Sequence, residues 1–333
     1  MSEFIFWGKF ERNDDTLNRV FAVAPRTGEP GLIAAAARGD VDTIAALILS
    51  GVDVNCHGNE ALLWAAYMGH VAAVALLLAS GADARANPGE PLTWSAAYGE
   101  LYIVKMLVES GADVNGAKDS PLIGAAGGGH NDVVEFLLNN GADVNARGGQ
   151  PLVSAATFGK VETVSLLLAR GANIDGLENM ALCAAAGEGY WEVIEVLLAA
   201  GANPASGPEN GLRPLRSAAE HGHLRTVRRL LAAGAPPDQD EDWPLIEAAG
   251  NGHSEIVRVL LKAGAHAGAA NGMALWVASQ NGHSDIVELL KKAGAKWPGG
   301  ASGPPVPREG TFHTEIDVAM TKLLWSPSKQ TRQ

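Results

Sequence analysis

The chain has little of what marks the specialised classes of protein. Of its 333 residues only 2 are Cys. Two thiols build neither a disulfide framework nor a four-thiolate zinc site, so no metal and no cofactor is expected. Charge is sparse at 19% and of the wrong sign for nucleic acid: 25 Lys and Arg stand against 37 Asp and Glu, a net charge of -12. Binding to a phosphate backbone needs clustered cations, and that class is set aside. No apolar run approaches the roughly 20 residues needed to cross a bilayer. The opening stretch Met1 to Asp15 has no basic leader and interrupts its apolar residues with charge, so neither a membrane span nor a secretory leader is read there. What is present is 47% hydrophobic residues, 40 Gly, and 8 Trp among few aromatics. That apolar content belongs to a folding chain rather than a disordered one. A reducing, cytoplasmic setting is the expectation.

The chain also repeats itself. A Gly-Ala-Asp-like triplet recurs at Gly51, Gly81, Gly111, Gly141, Gly171, Gly201, Gly234, Gly264 and Gly294, 30 residues apart except for one interval of 33. A Pro-Leu or Ala-Leu pair runs in step with it, as at Ala61-Leu62, Pro91-Leu92 and Pro214-Leu215, with Gly31-Leu32 opening the series. Nine copies fill residues 30–297. Each reads as two short helices. The first starts at the Pro or Ala, whose position suits an unpaired first-turn amide. The second carries apolar residues at helical spacing, as in Val133, Val134, Phe136, Leu137 and Leu138, and stops at the triplet glycine. Neither helix of one unit can bury its apolar face alone, so stacking must make the core.

This pattern resembles the ankyrin repeat family over about four-fifths of the chain. The family's Thr-Pro-Leu-His-x-Ala-Ala box appears as Glu90 to Ala96, its Gly-His turn as Gly129-His130, and its Gly-Ala-Asp-Val-Asn as Gly141 to Asn145. The resemblance implies an all-α solenoid of stacked helix-turn-helix repeats. The period departs from the family's usual 33 residues, and the three missing residues fall in the connectors, so the β-hairpin fingers should be short or absent. Only the stretch from Gly201 to Leu215, with its Asn210-Gly211 pair, keeps the full length. Binding then shifts toward the inner helices.

In such stacks the first helix lines the concave face. Carried over position by position, the resemblance places Trp64, Tyr67 and Met68 of repeat two in the groove beside Trp94 and Tyr98 of repeat three. Gly124, Gly127 and Gly128 follow in repeat four and Phe158 in repeat five, then Glu188, His221 and Glu247 in repeats six to eight. This reads as an aromatic wall next to a glycine-lined gap, with a polar, acidic end beyond it. The wall is read as a recognition platform, against the plainer reading that a Trp there shields the inner helix. Three glycines on one helical turn carry a helix-propensity cost, and the space they leave is read as wanted by something.

Repeat seven holds a basic island, Arg213, Arg216, Arg225, Arg228 and Arg229. It reads first as a solvated helix face, with Arg213 and Arg216 near enough to the groove to hold a carboxylate or phosphate. His70, His130, His223, His253 and His283 occupy the Gly-His turn, where the family uses the ring structurally. Tyr67, Tyr98, Glu188 and His221 are the weak candidates for acid/base chemistry. Residues 1–29 form an aromatic-rich cap or arm, with Phe4, Ile5, Phe6, Trp7 and Phe10. Residues 298–310 read as a Pro/Gly linker, and residues 311–333 as an amphipathic helix and tail with Ile316, Met320, Leu323 and Leu324 on one stripe. Either end could cap the stack, cross the groove or present a helix to a partner.

Two functions compete at this level. One is a noncatalytic scaffold holding a partner protein or peptide in the groove through the aromatic wall and the residues that follow it, Arg216 included. The other is a pocket for a hydrophobic small molecule, or a cyclase- or isomerase-type site, closed by a terminal lid.

Overall fold

The computed structural model describes residues 27–86, 90–208 and 213–297. These form eighteen helices and no strand, arranged as nine pairs. The first helices of the pairs are α1 (Gly28–Arg38), α3 (Cys56–Met68), α5 (Glu90–Ala97), α7 (Gly116–Gly128), α9 (Ala146–Thr157), α11 (Gly176–Glu188), α13 (Pro214–Glu220), α15 (Gln239–Gly250) and α17 (Ala269–Gln280). The second helices are α2 (Val41–Leu49), α4 (Val71–Ala79), α6 (Leu101–Glu109), α8 (Asn131–Asn139), α10 (Val161–Ala169), α12 (Trp191–Ala199), α14 (Leu224–Ala232), α16 (Ser254–Ala263) and α18 (Ser284–Lys292). First helices touch one another more extensively than second helices do, so the stack bends toward the first helices and makes theirs the concave face. Most of the expected terminal segments, at 1–29, 298–310 and 311–333, and the Asn210-Gly211 pair lie outside the described residues.

The core is a pair of leucine ladders. Leu62, Leu92, Leu122, Leu152 and Leu182 of the first helices, and Leu77, Leu107, Leu137 and Leu167 of the second, are all at most 1% exposed. Each contributes about 1.5–3 kcal/mol by leaving water. Because every leucine packs between repeats, no single pair could keep that gain. Close approach of the first helices rests on small residues: Ala65, Ala66, Ser95, Ala96, Ala155, Ala156, Ala248 and Ala249 are fully buried.

The connectors hold a feature that periodicity does not show. Among the described residues, five of them carry three consecutive residues in the left-handed region: His57-Gly58-Asn59, Arg147-Gly148-Gly149, Leu177-Glu178-Asn179, Asp240-Glu241-Asp242 and Ala270-Asn271-Gly272. The first helix therefore has an extra left-handed turn ahead of the Pro or Ala where it was expected to begin. This turn stands where a hairpin finger would otherwise project. Left-handed backbone costs roughly 1–2 kcal/mol per non-glycine residue, so something must hold it. In the three turns whose third residue is not glycine, that residue does so by bonding to the next repeat. Asn59 Nδ2 donates to the Asp83 carbonyl, Asn179 Nδ2 donates to the Asn203 carbonyl at 2.8 Å, and Asp242 Oδ1 accepts from the His266 amide at 2.8 Å. All three side chains are at most 2% exposed.

Two ladders of side-chain bonds register the repeats. Nε2 of His70 donates to the carbonyl of Ala37, 3.0 Å away, and Nε2 of His130 to that of Ala97 at 3.1 Å. His223, His253 and His283 bond to Gly187, Glu220 and Gly250 in the same way. These histidines are structural, as the resemblance implied. In the loops after the second helices, Asn55 donates to the Gly81 carbonyl at 3.0 Å and accepts from the Asp83 amide at 2.9 Å. Asn115 and Asn145 repeat that clasp two and three repeats further on, to Gly141 and Gly171. Arg85 supplies the intervening rung to the Gly111 carbonyl at 3.1 Å.

Candidate binding groove

The aromatic wall is a real cluster. α3 and α5 lie side by side, and one helical turn separates Trp64 from Tyr67 and Trp94 from Tyr98, so the four rings share one face. Tyr67 sits at the centre with its ring edge-on to Trp64 at 5.7 Å, to Trp94 at 5.2 Å and to Tyr98 at 5.6 Å. Trp94 and Tyr98 are near parallel at 6.1 Å. These separations fall in the favourable range for ring pairs, each worth about 0.5–1.5 kcal/mol beyond area burial. The Tyr67 and Tyr98 hydroxyls are 3.5 Å apart, long for a hydrogen bond. All four rings and Met68 are half-buried.

The glycine gap beside the wall is not open, which corrects the reading of Gly124 and Gly128 as room for a ligand. A methyl group on Gly124 would lie 2.9 Å from the Ala97 methyl carbon, and one on Gly127 would lie 2.5 Å from Ser154 Oγ. At Gly128 it would meet the His130 ring at 2.4 Å and the Ala97 carbonyl oxygen at 2.9 Å. The glycines are there because neighbouring helices already fill the space. Phe158, at the end of α9, lies over Gly127 and closes that side.

Beyond Phe158 the face turns polar and is largely occupied with itself. Arg216 donates to Glu247 Oε1 from Nη2 at 2.8 Å and from Nε at 3.3 Å, while its guanidinium lies 4.3 Å from the centre of the Trp243 ring. The carboxylate that Arg216 was expected to find is thus supplied by the next repeat. Burial pushes the Glu247 carboxyl up, and the Arg216 cation only partly opposes this. Arg213 donates to the Gly207 carbonyl at 2.9 Å and faces Asp240 at 3.4 Å. On the second helices Arg225 covers the Trp191 ring at 3.7 Å and Arg229 pairs with Glu195 at 2.6 Å. Four of the five arginines of the basic island are therefore spent on contacts within the chain.

The acid/base candidates do not converge. His221 is exposed and gives Nδ1–H to the Ser217 carbonyl of its own helix at 2.9 Å. Glu188 is exposed at the end of α11, and among the described residues it shares no hydrogen bond with His221. Tyr67 and Tyr98 belong to the distant aromatic wall. Of the two thiols, Cys183 is fully buried in α11 and pushed up to about 12 by that burial, and Cys56 is also buried and raised for the same first reason.

Sequence reasoning missed two kinds of residue here. It did not single out Trp243, whose ring lies against the Arg216 guanidinium. It also passed over Asn55, Asn115 and Asn145, although their recurrence at the end of Gly-Val-Asp-Val-Asn and two Gly-Ala-Asp-Val-Asn stretches was a visible signal.

The model for ankyrin repeats (3 copies) matches residues 12–88, 32–118, 92–178, 152–240 and 215–298. The chain belongs to the ankyrin repeat family. Among 417 matching chains of solved structures is the crystal structure of the human ASB11 ankyrin repeat domain. The two are 32% identical, with a TM-score of 0.56, over 62% of this chain and 98% of that one. No curated relative matches the chain. Ankyrin repeats are in general protein-interaction modules, and this ankyrin chain presents the family's inner-helix face with an aromatic cluster on it. Among the described residues no helix is long and apolar enough to cross a membrane.

Proposed function

We propose that this protein is a binding module that takes a segment of a partner polypeptide along its concave face, with Trp64, Tyr67, Trp94 and Tyr98 as the anchor platform. The single observation behind this is the four-ring cluster on α3 and α5, half-buried on the face toward which the stack bends. Aromatic side chains give large contact area at low entropic cost and dominate binding hot spots. Met68 and Phe158 extend the apolar surface on either side. Glu188, His221 and the Arg216–Glu247 pair form the polar far end, where the partner's flanking residues would lie.

Peptides selected on the full-length protein from a displayed random library test this. Trp94→Ala should weaken the selected peptides by about 30-fold, the equivalent of roughly 2 kcal/mol. Trp191→Ala, on the convex side, should leave them unchanged. Equal affinity for the wild type, Trp64→Ala and Trp94→Ala would sink the proposal.

A further inference from the structure

We infer that the aromatic wall is an intramolecular docking site for the chain's own N-terminal segment, Phe4 to Phe10, which an external ligand must displace. The inference rests on the proposed groove only for that last clause. Chemistry and reach both favour this occupant. The wall carries Trp64, Tyr67, Trp94 and Tyr98 and no charge, and the run Phe4-Ile5-Phe6-Trp7-Gly8 carries none either. Charge of both signs follows the run, at Lys9, Glu11 and Arg12, and in register Arg38 stands one repeat before Met68 and Glu100 two residues after Tyr98.

Reach separates the two ends of the chain. Packed helices are about 8–10 Å apart, so the wall lies within roughly 20 Å of α1, where the described chain starts. The residues between Phe6 and Thr27 span up to roughly 70 Å when extended, which leaves ample slack. The apolar C-terminal stripe starts at Ile316, and the residues from Trp297 to it span at most roughly 65 Å. The wall is six to seven repeats from that end, about 60–70 Å away. Only a linker drawn almost straight would carry the C-terminal stripe there.

The chain has 4 Tyr, at 67, 98, 102 and 190. Full-length protein labelled with 3-fluorotyrosine therefore gives a four-line fluorine spectrum, assigned by Tyr→Phe variants, that needs no partner. In the double variant Phe6→Ser with Trp7→Ser, the Tyr67 and Tyr98 lines should move while Tyr102 and Tyr190 stay. A benzophenone amino acid in place of Phe6 should crosslink within one chain to residues 61–68 and 91–98. Crosslinks to α1 or α2 would make the segment a cap on repeat one, and covalent dimers would make a second copy the occupant. Either result overturns the inference, as do unmoved Tyr67 and Tyr98 lines.

Peptides selected on the wild type should bind the double variant about tenfold more tightly, because a self-occupied site reduces apparent affinity. Selected peptides that need Trp94, together with unmoved tyrosine lines, would leave the groove function standing and remove this inference. Shifted lines without any selected peptide would do the reverse.

Discussion

Repeats two and three and repeats seven and eight offer the same helical turns to the same concave face, yet they have used them differently. In the first pair the side chains are rings that satisfy one another edge to face around Tyr67. Such contacts consume little hydrogen-bonding capacity and keep apolar area at the surface. In the second pair Arg216 is held by Glu247 and Trp243, His221 by its own helix, and Asn251 by the Glu247 carbonyl. A polar face that has already paired within the chain gains little from a ligand, since any new bond replaces one already made. The lesson is that a residue's place on the groove does not by itself make it available.

The strongest test of that contrast cuts the molecule between the two halves. Gly127→Leu would drive a side chain into Ser154 and Phe158, and overpacking of this kind costs about 3 kcal/mol. In a stack whose stability is a sum over neighbouring repeats, urea unfolding should then split into two steps, one for each half. A single shifted transition would show that the junction tolerates the leucine. Next in size is Arg216→Ala, which strands the Glu247 carboxylate and removes the cation from Trp243. It should lower stability by about 1–2 kcal/mol in urea melts without changing peptide affinity at the aromatic wall. A parallel loss of peptide binding would mean the two regions act as one site.

The smallest effect is at Glu247 itself. Burial holds its folded-state pKa above the ordinary value of 4.5, so the folded protein takes up this proton more readily than the unfolded chain. The contribution of this group to stability is therefore most favourable below 4.5 and falls as pH rises through the raised value. Glu247→Gln should flatten that slope and stabilise the protein by less than about 1 kcal/mol at neutral pH. In the Arg216→Ala background it should recover part of the loss. Melts of the four variants against pH would show it.

Much of the fold was legible because its punctuation is chemical. Gly51, Gly81 and the glycines in step with them end the second helices in the left-handed region at φ near 90°, and that requirement prints the period into the sequence. The left-handed turns were not legible. Leu177-Glu178-Asn179 and Asp240-Glu241-Asp242 contain no glycine, and in each the third residue bonds to the following repeat and so holds the turn. Local preference gives no hint of such a tertiary constraint. At the groove, the carry-over found the aromatic positions but misread Gly124 and Gly128, since a glycine signals a close neighbour and an empty space with the same letter. The fate of Arg216 was hidden for a related reason: its partner is 31 residues away, at a different position of the next repeat.

The two ladders of rungs also give the stack a mechanical character. Asparagine and arginine clasps bind the loops from the first repeat through the fifth, and histidine rungs tie the sixth to the ninth. Between the fifth and sixth repeats Tyr190 stands where a histidine would, and the loops there are tied by Asn179, which donates to the Asn203 carbonyl at 2.8 Å and to the Ser206 carbonyl at 3.1 Å. Pulled from its ends, the protein would therefore meet one continuous line of side-chain rungs, with that joint carried by a buried amide instead of an imidazole.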